Sequence, residues 1–240
     1  MPKLIHSELL KLMKSTAYRV LVICAFALGI LMFVSVILSA QNINGLDLLS
    51  QTFSDQGQVV LIIFFAAMFI CGEYTNRTAG LAIFGGHYRR DILLAKAIVS
   101  AVASCVLVII YPIVCTALVS YKYGFGDAIN ASMASYMARA ILLYMFGGAG
   151  MACFFTALAV LIKNTGGVIG ASLGAVFLWM ILGNIPVFAP VMKFTLLMQL
   201  SQVALINTAW QTILYLVITA ATIIATVLAA AVIFKKSELN

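Results

Sequence analysis

The sequence predicts an all-α integral membrane protein with six transmembrane helices. Hydrophobic residues make up 64% of the 240 residues and charged residues only 9%, so a water-soluble fold would lack the polar side chains to cover its surface. Several stretches of about 20 apolar residues have the length that a helix needs to cross the hydrocarbon. The short alternating strands typical of membrane barrels are not found. We therefore expect a single transmembrane domain over residues 1–240.

Each predicted span is a helix, because lipid offers no partner for an unpaired backbone amide. The second span is short, and the third is long enough to tilt or to protrude from the bilayer. The predicted spans are about 19–40, 58–72, 92–120, 136–162, 166–184 and 211–234.

Lysine and arginine predict the orientation. With the amino terminus inside, eleven of the 14 basic residues fall in cytoplasmic segments, and Lys122, Arg139 and Lys193 fall outside. The positive-inside bias therefore favours cytoplasmic termini in a multi-pass protein of the plasma membrane. Basic side chains beside anionic membrane lipid account for the net charge of +7, so we expect no nucleic-acid partner.

Residues 1–18 are predicted to form an interfacial elbow helix before span one. The apolar residues Ile5, Leu9, Leu12, Met13 and Ala17 recur at helical spacing, while polar residues occupy another face. The alternative is that the lysines of this segment only flank span one and fix the topology. The two-faced spacing favours the elbow.

The chain has little that could support catalysis or metal binding. Its five cysteines lack CxxC pairing and its two histidines fall in separate segments, so we expect neither a disulfide framework nor a metal site. Asp47 and Asp55 fall in a predicted outer loop, Glu8 is terminal, and no paired carboxylates line a span. No GxxxxGK[ST] phosphate loop is present. We expect a non-catalytic protein that binds no cofactor itself, and the lack of an intramembrane charge weakens an ion-driven carrier.

The polar interruption at residues 73–90 is the predicted contact with a partner. It begins at Glu73, contains the Gly85-Gly86 break and ends in the basic pair Arg89-Arg90. These features predict a short cytoplasmic helix that could transmit force from a soluble motor. The alternative for Glu73 is a helix-end carboxylate paired with Arg77, worth about 0.3 kcal/mol on a solvated helix.

Span five begins with glycines at four-residue spacing, namely Gly166, Gly170 and Gly174. Small residues at this spacing let helices approach closely in lipid. The stripe could form the seam between two copies of the chain or pack within one copy. A similar alanine stripe on span six favours packing within one copy.

Residues 185–207 form a second unusual stretch, between spans five and six. Pro186 and Pro190 break the helix, and the following segment is apolar but includes Lys193 and several polar side chains. We expect it to be partly wet. The alternative is a connector without function that lies on the surface.

The order of these features is the basis of a family resemblance. An elbow and six spans contain Glu73, then Thr78-Ala-Gly-Leu, then Tyr88-Arg-Arg-Asp-Ile-Leu-Leu-Ala-Lys96, and finally Phe234-Lys-Lys. In this order the whole chain resembles the type-two permeases of ATP-binding cassette (ABC) exporters. That family tends to have a glutamate at the end of span two, a small-residue turn, a helix, and an arginine followed by a lysine at the start of span three. Here Asn76-Arg-Thr-Ala-Gly80 holds the turn in a modified form.

The resemblance implies that Glu73, Tyr74 and Thr78 lie at a coupling helix that docks on a separate ATPase, with Arg89 and Arg90 beside the dock. For the two arginines, a pure topology signal is an equal alternative. The resemblance also implies that the elbow rests against the ATPase and that residues 185–207 form outer re-entrant helices. Two permease subunits, identical or sister chains, would dock an ABC ATPase dimer that binds ATP and Mg.

An amphipathic or hydrophobic cargo is the expected substrate. Phe64, Phe65 and Phe69 in span two and Phe177 in span five belong to the spans that line the central cavity of similar exporters, and an uncharged wall suits lipid-like cargo. Core packing is the alternative role of these rings. The short, loop-poor form resembles permeases that export, or confer immunity to, antimicrobial peptides such as lantibiotics. An ion-gradient-driven carrier and a non-transporting assembly protein are the alternative functions.

Overall fold

The computed structural model describes residues 2–39, 43–75, 88–126, 130–206 and 208–236. Within these ranges the regular structure is helical, without a strand. Six helices are long and apolar enough to cross a membrane, which confirms the predicted all-α membrane architecture. The spans cover Thr16–Leu38, Gly57–Tyr74, Arg90–Tyr123, Ala131–Ile162, Thr165–Asn184 and Ala209–Val232. The helices of spans three and six extend slightly further, to Arg89–Tyr123 and Ala209–Lys236.

Spans three and four form the centre of the bundle. Span four is 61% buried in its most apolar window and span three 50%, whereas spans five and six are each 17% buried. Span three packs along spans one, four and six and along the amino-terminal helix. Spans five and six present most of their surface outward, where lipid or another subunit would cover it.

Glycines of span four allow close packing at this centre. A Cβ atom on Gly147 would clash with the hydroxyl of Tyr215, and one on Gly148 would lie 3.0 Å from the side chain of Val108. The Tyr215 hydroxyl donates to the carbonyl of Leu143 at 3.0 Å. The Tyr215 side chain of span six therefore packs against span four at Gly147, which has no side chain. The sequence analysis did not predict this contact.

The glycine stripe of span five is not a contact of this kind. Among the described residues, a Cβ atom on Gly170 or Gly174 would meet nothing within 4 Å, and one on Gly166 would meet the side chain of Asn164 at 3.7 Å. Among the described residues Gly170 and Gly174 therefore have no close neighbour, and the packing role of the stripe stays a prediction. The buried residues of span five lie on another face and are Val168, Ser172 and Val176.

Span two is not one regular α-helix. It is α-helical over Gly57–Ala66, widens into a π-turn over Ala67–Cys71, and returns to α-helix over Gly72–Thr75. A π-turn inserts one residue, so the residues beyond it are rotated by about 100° around the helix axis relative to a continuous α-helix. The first charged residue redirected in this way is Glu73.

The amino-terminal helix, Pro2–Lys14, folds back against the start of span three. Leu4 packs with Ile92 and Ala95, and Leu12 joins a cluster with residues of spans one, two and three. The predicted helix is confirmed. Its buried face differs from the predicted one, because Glu8 lies between Leu4 and Leu12 on that face while Met13 is 71% exposed.

The elbow is shorter than the predicted residues 1–18. The helix ends at Lys14, and the side chain of Ser15 accepts a hydrogen bond from the amide of Tyr18 at the start of span one. Ala17 therefore belongs to span one. The position of the elbow in the membrane interface stays a prediction.

We call the two ends of the bundle the Asp55 end and the Glu73 end. At the Asp55 end, the connector between spans one and two packs against the connector between spans five and six. The first connector is a helix over Gly45–Ser54, where the sequence analysis expected a loop with Asp47. Leu48, Leu49 and Phe53 are its buried apolar residues. It contacts the second connector through the 3-10 helix Val203–Leu205.

The second connector contains the short helices Ala189–Met192 and Leu196–Ser201 before that 3-10 helix. Span four holds it, because the Tyr136 hydroxyl donates to the carbonyl of Ala204 at 2.8 Å and Arg139 donates to the carbonyl of Ile206 at 2.7 Å. Residues 185–206 thus form short helices, while Asn207 lies outside the described residues. A capping role for this segment stays a prediction.

Candidate functional site

Four charged side chains meet at the Glu73 end and form what we call the charge cluster: Glu8, Lys11, Glu73 and Lys96. The Lys96 Nζ atom lies 2.6 Å from Glu73 Oε2 and 3.4 Å from Glu8 Oε2. The Lys11 Nζ atom lies 2.5 Å from Glu8 Oε1 and 3.4 Å from Glu73 Oε1. Each lysine therefore bridges both glutamates, and the four formal charges cancel.

Three elements supply the charge cluster. Glu8 and Lys11 are three residues apart on the amino-terminal helix, so they share one helix face. Glu73 follows the π-turn of span two, and Lys96 lies about two turns into the helix that begins at Arg89. The cluster therefore ties the amino-terminal helix to the end of span two and to the start of span three.

Burial makes these charges depend on one another. The side chain of Glu8 is 1% exposed, that of Lys96 10% and that of Glu73 16%, whereas Lys11 is 52% exposed. A charge taken out of water is strongly unfavourable unless it is paired and hydrogen-bonded. Removing one partner of a buried ion pair typically costs about 3–5 kcal/mol. Loss of Lys96 would therefore leave Glu8 buried with less compensation.

Lys11 is the member of the cluster that faces water. Partial burial lowers the pKa of Lys11, but the hydrogen bond to Glu8 and the charges of Glu73 and Glu8 outweigh this effect and raise the pKa above its ordinary value. Lys11 therefore remains protonated at neutral pH. It keeps both carboxylates paired from the exposed side of the cluster.

Aromatic rings connect the charge cluster with the bundle interior. The Lys96 Nζ atom lies 5.5 Å from the centroid of the Phe69 ring, a favourable cation–π arrangement. Phe69 stacks on Phe65 with a centroid distance of 5.3 Å, and Phe65 meets Tyr18 edge-on at 5.6 Å. Displacement of Lys96 would therefore disturb packing between spans one and two as well as the ion pairs.

The predicted docking residues have different surroundings. Glu73 joins the charge cluster, while the ring of Tyr74 packs against a neighbouring apolar cluster and lies 5.8 Å from the Lys163 Nζ atom. Arg90 is exposed at the start of span three. Arg89 begins that helix. Thr78 lies outside the described residues, so its docking role stays a prediction.

Sequence reasoning missed Glu8, Lys11 and Lys96 as parts of the site. It treated Lys11 as a topology signal, Lys96 as a topology signal and part of the family motif, and Glu8 as a terminal charge. Arg77, the alternative partner considered for Glu73, lies outside the described residues. One signal was available. Glu8 is four residues from both Leu4 and Leu12, so it falls on the apolar stripe, where a carboxylate needs a cationic partner.

The predicted cargo residues occupy several environments. Phe65 is 2% exposed inside the bundle, Phe64 and Phe69 are partly buried beside it, and Phe177 on span five is 62% exposed. A cavity of about 430 Å³ lies elsewhere, between spans four, five and six and the second connector. Its aromatic lining consists of Phe154, Trp179 and Phe194.

No protein-family model, curated protein or solved structure matches the chain.

Proposed function

We propose that this chain is the transmembrane subunit of an ATP-driven exporter of the ABC class. A separate ATPase dimer, which binds ATP and Mg, docks at the Glu73 end on the cytoplasmic side of the plasma membrane. The chain itself is not a catalyst. It moves an amphipathic or hydrophobic cargo outward together with a second permease subunit, either a copy or a sister chain.

The charge cluster is the main support for this proposal. It links Glu73 and Lys96, which flank residues 76–87, with the amino-terminal helix. In the proposed mechanism, a force that a soluble partner exerts on the segment between spans two and three is transmitted to these two side chains. Because Glu8 bridges Lys96 and Lys11, the same force reaches the amino-terminal helix.

The π-turn of span two offers Glu73 a second position in the proposed mechanism. Reversion of Ala67–Cys71 to α-helix would rotate Glu73 by about 100° and carry it away from Lys96. Two alternative arrangements of one helix end are what a switch between inward and outward access requires. In the proposed mechanism, closure of the ATPase dimer selects between them.

A second permease subunit is supported by the outward faces of spans five and six. Gly170 and Gly174 have open space where another helix could approach, and both spans are 17% buried. Small residues at four-residue spacing permit close helix contact in lipid. The span-five stripe is therefore the proposed seam between two subunits.

Co-purification from the native membrane tests the proposal. The tagged chain is expected to bring down a nucleotide-binding subunit whose ATP turnover rises when cargo is added. Glu73→Gln, which removes the charge but keeps the shape, is expected to abolish the cargo-dependent rise. Asp47→Asn at the opposite end is the matched control and should leave turnover unchanged. Isolation of the chain without a nucleotide-binding subunit would overturn the proposal.

An ion-gradient-driven carrier is the second candidate, and the buried ion pair between Glu8, at 1% exposed, and Lys96 of span three favours it. Carriers of this type use buried ionisable groups for coupling. In liposomes without ATP, a carrier would accumulate cargo under a proton or sodium gradient, and Glu8→Gln would stop the accumulation. Gradient-independent transport that requires ATP would reject this candidate.

A further inference from the structure

A cavity of about 310 Å³ lies at the Asp55 end between spans one, two and three. Span one forms its apolar wall, and Asp55, Gln58 and Tyr111 line its polar side. The apolar wall consists of Leu28, Leu31 and Met32. The cavity therefore combines a hydrocarbon surface with a carboxylate, the two features that an amphiphile needs in a binding site.

Two hydrogen bonds hold the carboxylate of Asp55 in the cavity wall. The amide of Gly57 donates to Oδ1 at 2.9 Å, and the hydroxyl of Tyr111 donates to Oδ2 at 3.1 Å. Each carboxylate oxygen retains a further lone pair. Asp55 is exposed and among the described residues the salt bridges all lie at the Glu73 end, so its carboxylate is accessible to a cation from the cavity.

Gln58 is a second, independent sign of a ligand. It is 3% exposed, and its Nε2 atom donates to the carbonyl of Thr52 at 3.2 Å. Its Oε1 atom has no hydrogen-bond partner among the described residues. A buried acceptor left unpaired is unfavourable. Because Gln58 lines the same cavity as Asp55, a rotation of its side chain would turn the buried Oε1 atom to a donor bound there.

The cavity also opens towards the outside of the bundle. Leu28 is 39% exposed and Leu31 62% exposed on span one. In a membrane these side chains face the lipid hydrocarbon, so a hydrocarbon chain could reach the cavity from the bilayer. The carboxylate then lies at the end of such a path, where span two begins.

These observations define the chemistry of the ligand. A carboxylate and an amide oxygen both accept hydrogen bonds, so the ligand must present donors together with a positive charge. A bare metal ion would leave the apolar wall unfilled, and Asp55 would repel an anion. We infer that this cavity binds the ammonium group of a cationic amphiphile, with the hydrocarbon part against span one. The inference rests on the proposed function, because it names the chemical class of the exported cargo.

Photolabelling of the purified chain in phosphatidylcholine nanodiscs tests the inference. An alkylammonium probe with a diazirine on its chain is expected to label the Leu28–Met32 stretch, with competition from octylammonium but not from octyl sulfate. Asp55→Asn keeps an oxygen for the Gly57 amide but removes the charge. It is expected to lower labelling by up to about five-fold, because an ion pair at an exposed carboxylate contributes about 1 kcal/mol or less. Asp47→Asn, at the same end but on the first connector, should label like the wild type.

A second variant tests the cavity without altering the charge. Leu31→Trp places a large ring on the exposed wall and is expected to block labelling while Asp55 is intact. Equal labelling of the wild type and Asp55→Asn, or equal competition by octyl sulfate, would overturn the inference. Competition by phosphatidylethanolamine added to the nanodiscs would assign the site to a lipid headgroup and overturn the assignment to cargo.

The two proposals can fail separately. Labelling requires no ATPase, so absence of a nucleotide-binding subunit in the pull-down would reject the exporter while leaving the ammonium site intact. Conversely, a chain that recruits an ATPase but shows no charge-dependent labelling would reject only the ammonium site.

Discussion

Lys96→Met is expected to lower the free energy of unfolding by about 3 kcal/mol. The substitution keeps the length and the apolar stem of the side chain but removes the ammonium group that lies 2.6 Å from Glu73 and 3.4 Å from Glu8. Its effect therefore reports the ion pairs rather than lost packing volume.

The magnitude follows from burial. Breaking a buried ion pair by removal of one partner costs about 3–5 kcal/mol, because the remaining charge is left uncompensated. Glu8 is 1% exposed but retains Lys11 at 2.5 Å, and Glu73 is 16% exposed. The remaining lysine and the partial access of water to Glu73 place the expected loss at the lower end of that range.

Lys11→Met is the matched control, because Lys11 contacts the same two glutamates but is 52% exposed. Exposed ion pairs contribute about 1 kcal/mol or less. Reversible unfolding in lipid bicelles would give the free energy for each variant. The double variant Lys96→Met with Glu73→Gln is expected to lose less than the sum of the single losses, because fewer charges are left unpaired.

Equal losses for Lys96→Met and Lys11→Met would refute the reasoning, since burial would then not determine the strength of these pairs. Additive losses in the double variant would refute it independently, because they would show that Lys96 and Glu73 do not interact.

Three further outcomes are expected. In the isolated single subunit, Gly147→Ala should lower stability by about 1–3 kcal/mol through overpacking against span six, whereas Gly170→Ala, which faces open space, should leave stability unchanged or raise it by up to about 1 kcal/mol through helix propensity; similar losses would contradict the packing argument. Deletion of Met68 removes the extra residue of the π-turn, so span two should become a regular helix with Glu73 still facing Lys96; without the extra residue the alternative position of Glu73 is lost, and cargo-dependent ATP turnover should disappear, so retained turnover would count against the switch. The pKa of Lys11 is raised in the folded state. The contribution of Lys11 to stability is therefore full below about pH 10.4 and is lost as the pH rises through the folded-state pKa. The stability difference between the wild type and Lys11→Met should persist at pH 8 and shrink only in strong alkali.

The positions of the spans were predictable because they depend only on the length of each apolar stretch and on the thickness of the hydrocarbon that it crosses. About 20 apolar residues are needed to cross the hydrocarbon, and hydropathy alone locates such stretches. The helix of the first connector was not predicted because its apolar residues Leu48, Leu49 and Phe53 are interspersed with polar residues over only ten positions. A short amphipathic helix of this kind is stable only through packing on its neighbours, which the sequence does not display.

The sequence did not predict which face of each helix packs against its neighbours. Gly147 and Gly170 both belong to small-residue stretches in apolar helices, yet the first packs against Tyr215 and the second faces open space. The rotation of each helix about its axis depends on all its neighbours together. For the same reason the pairing of Glu8 with Lys96, 88 residues apart, was not predictable from local spacing, and nothing in Ala67–Cys71 identifies it as a π-turn.

Span two connects the two proposed sites, and this connection makes a final prediction possible. Its first residue, Gly57, donates to the carboxylate of Asp55, and the charge cluster holds Glu73 at its other end. If docking at Glu73 changes the affinity for an ammonium group at Asp55, then ammonium binding must change the docking affinity by the same factor. Lys96→Met, which removes the 2.6 Å contact between Lys96 and Glu73, is therefore expected to alter alkylammonium labelling although it lies at the opposite end of the bundle. Lys11→Met should alter labelling less. Identical labelling of the wild type and Lys96→Met would show that the two ends of span two are not coupled.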